Sequence, residues 1–192
     1  IAGMESPLIV LLKTRFPTAQ FREHEKLSNH TYFRIGGPAE VFIIVRDIEL
    51  FAELASFCAK EHMHLTILGG GSNVLVTDNS IPGLVIKNIT QGIRVEKTQS
   101  GGILEAESGV PTNTLVRKAI DEGLAGLEYF LGVPGSVGGA VYNNSHYMNQ
   151  LIGDAIESVE IVDMKTGKKK IMTHTDLKYR YDYSILQETH DI

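Results

Sequence analysis

Two glycine-rich stretches carry the chemistry that this sequence offers. Leu68-Gly69-Gly70-Gly71-Ser72-Asn73 follows a short apolar run. Three consecutive glycines let the main chain approach a ligand closely and take up positive φ. Successive free N–H groups in such a turn form an anion nest that suits a diphosphate, and Ser72 and Asn73 add side-chain donors. Gly132-Val133-Pro134-Gly135-Ser136-Val137-Gly138-Gly139-Ala140 places four glycines and a proline in nine residues. Surface loops seldom need that much backbone freedom. Each stretch also has a plainer reading: the first as a tight turn between strands, the second as a packing device with Gly138-Gly139 opening a helix. Their joint presence predicts one diphosphate held from both sides. A third piece, Thr31-Tyr32-Phe33-Arg34-Ile35-Gly36-Gly37-Pro38-Ala39, sets an aromatic pair beside another Gly-Gly turn.

Other chemistries fit poorly. After Gly69-x-Gly71 the third glycine of the common dinucleotide fingerprint is replaced by Val74, and a strand rather than a helix is expected to follow. No Gly-Lys-Ser/Thr phosphate loop occurs. The seven histidines (24, 30, 62, 64, 146, 174 and 190) are scattered, and none pairs with Cys58 at a zinc spacing, so no metal site is expected. Lys168-Lys169-Lys170 reads as a solvated face beside a turn.

The elements that must position the loops follow from local signals. Ser6 and Pro7 open a helix reaching about Arg15. Val41-Phe42-Ile43-Ile44-Val45 is β-branched and predicts a buried strand. Asp47 caps a helix to about His62, with Ile48, Phe51, Leu54, Ala55 and Cys58 on one face, which makes Cys58 a core residue. Residues 65–68, 74–76 and 84–86 read as strands. Residues 93–96 and 103–107 read as strands, and residues 112–122 as a helix stopped by Gly123. Residues 156–162 and 169–173 predict a hairpin. Residues 187–191 show no element that would tie the chain end down. Strands and helices do not alternate cleanly, so the fold class is α+β rather than a doubly wound sheet.

With 192 residues and 43% of them hydrophobic, the chain can bury one core or two small lobes. A net charge of -5 argues against a nucleic-acid partner, which would require clustered Lys and Arg. The apolar run at 8–12 ends at Lys13, far short of the roughly 20 residues of a membrane span. A single cysteine excludes an internal disulfide scaffold and is compatible with a reducing compartment, so a cytoplasmic location is expected. Ile1-Ala2-Gly3, ahead of Met4, reads as a tag remnant. No feature sets an oligomeric state.

The three glycine segments, in order and spacing, resemble those of the UDP-N-acetylenolpyruvoylglucosamine reductases: residues 31–39, residues 68–78, and Gly126-Leu127-Glu128 running on to residues 132–142. The resemblance covers about residues 27–187. It implies a two-lobed FAD-binding domain of the vanillyl-alcohol-oxidase type (PCMH-like). Residues 5–88 are expected to form one lobe with the N-terminal helix, and residues 89–192 the other. It implies non-covalent FAD and NADPH as co-substrate, with hydride passed to the enolpyruvyl group of a UDP-sugar in peptidoglycan precursor synthesis. FAD contacts are expected from Gly69, Gly70, Gly71, Ser72 and Asn73, and from Val133, Pro134, Gly135, Ser136, Gly138, Gly139 and Ala140. Tyr32 and Gly109 are expected nearby, and residues 143–147 are expected to form a wall facing substrate.

The sequence departs from that family late in the chain. The family carries Phe-x-Tyr-Arg-x-Ser, with Tyr and Arg facing substrate. Here Tyr179-Arg180-Tyr181-Asp182-Tyr183-Ser184 places Tyr181 on the Tyr and Asp182 on the Arg. A carboxylate there repels a developing enolate. Arg180 is expected to share a face with Asp182 along an extended strand, leaving Tyr181 and Arg180 as the catalytic expectations. The family's serine acid lies in a further substrate domain, which this chain is expected to lack. Two alternatives stay open: another oxidoreductase of the same flavin fold, and a non-catalytic flavin-binding module.

Overall fold

The computed structural model describes residues 5–192, and the Ile1-Ala2-Gly3 stretch lies outside the described residues. Helix α1 (Pro7–Arg15) starts as expected, with the Ser6 hydroxyl accepting the Ile9 N–H and Pro7 in the first turn. A four-stranded sheet follows, built from β1 (Arg22–Glu23), β2 (Ala39–Val45), β3 (Leu65–Leu68) and β4 (Ile81–Asn88), in the order β1-β2-β4-β3. Strand β4 lies parallel to both β2 and β3. Leu84, Val85 and Ile86 at its centre have no exposed surface, and a strand covered on both faces reads as a continuous apolar run.

Side chains alternate across the sheet, which divides its contacts into two layers. Val41, Ile43, Val45, Leu84 and Ile86 face α1 and helix α2 (Ile48–Lys60), meeting Ile9, Leu12, Phe51, Leu54 and Cys58. Phe42 and Val85 face the other way, against Leu27 and Ala39. The Asp47 carboxylate caps α2 by accepting the Leu50 N–H at 2.8 Å. Burial pushes the Cys58 thiol up to about 12. Thiolate is the reactive species, so native protein is expected to resist iodoacetamide at pH 8 and to be alkylated once urea unfolds it, as read by mass spectrometry.

Parallel neighbours need a crossover connection. Between β3 and β4 that crossover is residues 69–80, which carry the first glycine loop. The strand expected at residues 74–76 does not form. β4 pairs with β2 and β3, residues 74–76 join neither β4 nor the outer edge of β3, and Val74 and Leu75 lie exposed.

The second half holds hairpin β5 (Ile93–Thr98) with β6 (Gly101–Ala106), helix α3 (Thr112–Asp121), helix α4 (Val137–Asn143), a small β7–β8 pair (His146–Tyr147, Gln150–Leu151), and hairpin β9 (Ser158–Asp163) with β10 (Lys168–Thr173). Short helices α5 (His174–Leu177) and α6 (Leu186–Thr189) close it. Val116, Phe130, Ala140 and Ile152 make one core cluster, and Ile161, Met172, Leu177 and Leu186 another. The β9–β10 hairpin leans on α2: Val162 packs on Ala52 and Ala55, and Lys169 bonds Glu49 at 3.0 Å. The end of the sequence is held down, contrary to expectation. Ile192 N–H donates to the Val162 carbonyl at 3.1 Å, giving β9 backbone partners on its free edge. Among the described residues no helix is long and apolar enough to cross a membrane.

Candidate functional site

The two glycine loops meet. A Cβ added to Gly70 would lie 2.9 Å from the Gly135 Cα, so the two main chains stand back to back with no room for a side chain. Gly69 abuts the Ser136 hydroxyl, and Gly135, at φ +121°, faces the Ser72 hydroxyl. One loop comes from the crossover between β3 and β4, the other from the entry to α4.

Backbone donors at this meeting point are unspent. Among the described residues, the N–H groups of Gly69, Gly70, Gly71, Ser72 and Asn73 donate to no protein acceptor, and neither do those of Gly135 and Ser136. Gly70 and Asn73 are exposed, and Gly69, Ser72 and Gly135 are half-buried. Main-chain donors seldom stay unpaired where water is being excluded. Unpaired donors on two touching loops make this meeting point a candidate anion site.

Each loop is fixed from behind. Gly71 takes φ +73° with its missing side chain against the His30 carbonyl, and its own carbonyl accepts the Tyr32 N–H at 2.8 Å. On the other loop, the Gly135 carbonyl accepts the Thr112 N–H at 3.0 Å, and Gly138 N–H donates to the Ser108 carbonyl at 2.8 Å. Asn88 donates to the Ser108 hydroxyl at 2.8 Å and accepts the Thr90 N–H at 3.1 Å. Gly109 N–H donates to the Thr90 hydroxyl at 3.1 Å. The end of β4, the turn at 108–109 and the second loop are thus one bonded unit. Ser136 caps α4, accepting the Gly139 N–H at 3.4 Å. The Gly138-Gly139 segment therefore does open a helix, and the loop before it still bares its amides.

The expected contact residues are not all equivalent. Val133 turns its side chain into the core beside Phe130, and Ala140 is buried in the same cluster. Pro134 is exposed. The Tyr32 ring is 77% exposed and meets Phe33 edge to face at 6.5 Å between centroids. Ile35 and Leu75, also exposed, line a hollow together with residues 76–78. The third Gly-Gly turn braces that loop from outside, with Gly37 N–H donating to the Thr77 carbonyl at 2.8 Å.

Lys87 escaped the sequence analysis. It follows the apolar run of β4, and its ammonium donates to the His30 carbonyl at 3.2 Å and to the Gly69 carbonyl. Half-burial pulls its pKa below the usual lysine value, because desolvation disfavours the charged form. Its one sequence signal is a charge ending an otherwise apolar strand. A cation holding the nest's first carbonyl both ties the loop down and favours an anion. Lys87→Met is expected to weaken flavin binding about tenfold, the loss of one charge-assisted bond, with little change in melting temperature. Quenching of flavin fluorescence on titration measures it.

The segment bearing the catalytic expectations is a turn rather than a strand. Arg180 and Tyr183 exchange backbone bonds at 3.1 Å in both directions, and Asp182 sits at φ +51°. Arg180 therefore shares no strand face with Asp182, and its guanidinium lies 5.3 Å from the Tyr183 ring centre. Tyr181 is 67% exposed, and its hydroxyl is 2.7 Å from His146 Nε2. The wall expected at residues 143–147 divides: Asn144 is fully buried, with its side chain spent on the Gly153 N–H and the Arg180 carbonyl, while Tyr147 is exposed.

A family model described as an FAD binding domain matches residues 39–172. A UDP-N-acetylenolpyruvoylglucosamine reductase of Listeria monocytogenes serotype 4a is 35% identical over 178 residues, 92% of this chain and 58% of the relative. The enzyme of that name from Lachnoclostridium phytofermentans is 34% identical over 187 residues, 96% of this chain and 60% of the relative. The chain thus spans less than two thirds of the curated relatives it matches. The crystal structure of the Thermus caldophilus reductase superposes with a TM-score of 0.68 at 31% identity, over 86% of this chain and 57% of the other. Cholesterol oxidase from Brevibacterium sterolicum superposes at 0.60 with 11% identity, covering 82% and 33%, a likeness of fold alone. The resemblance drawn from the three glycine segments, and the two-lobed α+β flavin fold it implied, agree with these findings.

Proposed function

The chain belongs to the FAD binding domain family, and on that footing we propose that it is the FAD-binding part of a flavin-dependent, NADPH-using reductase converting UDP-N-acetylglucosamine enolpyruvate to UDP-N-acetylmuramate. The observation that carries the reading is the back-to-back approach of Gly70 and Gly135, which brings together two loops whose amides are unpaired. Donors of that kind suit the diphosphate of FAD. Gly69, Gly70, Gly71, Ser72 and Asn73 would grip it from one side, Gly135 and Ser136 from the other. Val133, Pro134, Gly138, Gly139 and Ala140 shape the second side, and Gly109 braces it through Thr90. Tyr32 offers an exposed ring to the cofactor's flat portions.

The chemistry that FAD supplies when bound is hydride uptake from NADPH and delivery to the enolpyruvyl double bond. The chain's own residues bind and orient. No histidine stands in the first loop, which supports non-covalent attachment. Tyr181, exposed at the turn, is the residue proposed to face substrate, with Arg180 beside it. The boundary proposed between lobes is at residue 88, where β4 ends and the sheet of the first half is complete. The activity belongs to peptidoglycan precursor synthesis, and with it goes a cytoplasmic location. The UDP-sugar is the partner.

Asp182 favours a second reading, a flavin-binding module without this activity, since it places a carboxylate where developing anionic charge would need a cation. One purification separates them. Yellow colour released by acid supports bound FAD, and NADPH consumption that depends on the enolpyruvyl sugar supports the reductase. Flavin retention without such consumption supports the module. Colourless protein that refuses added FAD defeats both.

A further inference from the structure

Where α4 gives way to β7, three titratable side chains form a hydrogen-bonded chain. His146 Nδ1 lies 3.0 Å from Asp182 Oδ1, and its Nε2 lies 2.7 Å from the Tyr181 hydroxyl. The imidazole and phenol rings are 4.3 Å apart between centroids, tilted by 40°. A carboxylate at Nδ1 holds the proton on that nitrogen and leaves Nε2 as an acceptor. The Tyr181 O–H then donates to Nε2, which fixes the hydroxyl and leaves its oxygen lone pairs free on an exposed face.

The backbone beneath this chain is fixed by side-chain hydrogen bonds, two of the side chains being fully buried. Asn144 accepts the Gly153 N–H at 2.9 Å and donates to the Arg180 carbonyl at 2.7 Å. The Ser184 hydroxyl donates to the Tyr142 carbonyl at 2.7 Å, and Gln187 donates to the Asp182 carbonyl at 3.0 Å. Asn144 and Ser184 have no exposed surface. Fully satisfied buried polar groups rigidify what they hold. What they hold is the 180–183 turn against the 144–146 segment. Helix α4, starting in the second glycine loop, spans only about 10 Å at 1.5 Å per residue, so the relay sits one short helix from the nest.

We propose that His146, oriented by Asp182, is a positioning residue that fixes the Tyr181 phenol toward substrate. The proposal deepens the reductase reading at Tyr181 and rests on it for its consequence in turnover. An exposed pair of this kind adds little to stability, so removing it is expected to leave the melting temperature nearly unchanged.

Nitrogen-15 NMR of the purified, flavin-free chain tests the geometry. His146 is expected to show a protonated Nδ1 and an unprotonated Nε2. Tyr181→Phe is expected to move the Nε2 resonance, and Asp182→Asn, which tolerates the left-handed backbone, to abolish the tautomer preference. A wild-type ring protonated on Nε2 alone overturns the proposal. Turnover by the natural polypeptide tests the consequence. Tyr181→Phe and His146→Leu are each expected to lower kcat about tenfold through misplacement with KM within about twofold. The double variant is expected to match Tyr181→Phe alone, and His146→Gln, which keeps an acceptor, to recover part of the loss. Losses that multiply independently overturn the proposal. Wild-type protein with the expected tautomer but no enolpyruvyl-dependent turnover sinks the reductase reading, while the resonances still support His146 as the anchor of Tyr181.

Discussion

Gly70→Ala is expected to lower FAD affinity about tenfold to hundredfold while the protein still folds. Gly70 is not held in a left-handed conformation, so backbone strain is not the cause. The added methyl would stand 2.9 Å from the Gly135 Cα and 3.3 Å from its carbonyl carbon. Neither is a flexible side-chain end that can swing aside. One loop must therefore retreat from the other. Forcing an extra carbon into a closed contact costs about 1–3 kcal/mol, and about 1.4 kcal/mol is tenfold in affinity. Both loops are partly open to solvent, so the retreat is expected to fall on the ligand site rather than on the core. Gly101→Ala supplies the contrast, because a Cβ there meets nothing within 4 Å and stands at the start of β6, far in sequence from both loops. Fluorescence titrations of the two variants and the parent measure the difference. Equal affinities in all three would mean that the loops do not share one ligand.

The elements that the sequence disclosed are those specified by neighbours in the chain. Ser6-Pro7, Asp47 and Gly123 sit at helix ends, and the period-three-and-four face of α2 needs no distant partner to be recognised. The glycine loops were legible for the same reason: a shortage of side chains is visible at once. What was hidden depends on distant pairing. Val74-Leu75-Val76 has strand composition, but the chain just beyond it is tied to the Gly36-Gly37 turn, where Gly37 N–H donates to the Thr77 carbonyl, and it joins no strand. Residues 179–184 alternate aromatic and charged groups like a strand, yet Asn144 and Ser184, bonding across more than thirty positions of sequence, bend them into a turn. Lys87 looks like an ordinary strand-end residue until the first loop is laid over it, and Asn88, Thr90 and Ser108 do until the second is brought against them. Their role is written in contacts, which composition does not record.

Phe42→Ala is expected to be the most damaging of these changes to the fold, lowering stability by about 3–5 kcal/mol, the range for emptying a buried phenylalanine site. In a chain of this size that is a fall of about 6–20 °C in melting temperature. Phe42 has no exposed surface and packs with Val85, Leu27 and Ala39 on the face of the sheet away from α2. The damage is not confined to the core. The His30 ring rests on Phe42 at 4.5 Å between centroids and is held from its edge by Glu25 at 2.8 Å. The His30 carbonyl in turn receives the Lys87 ammonium and borders Gly71. Emptying the Phe42 site thus loosens the support behind the first glycine loop. A ligand that binds only the native state raises the melting temperature according to its affinity. Were Phe42 a core residue alone, saturating FAD would raise the melting temperature of parent and variant by comparable amounts. The packing of His30 predicts a smaller rise in the variant, and thermal melts with and without FAD decide between the two.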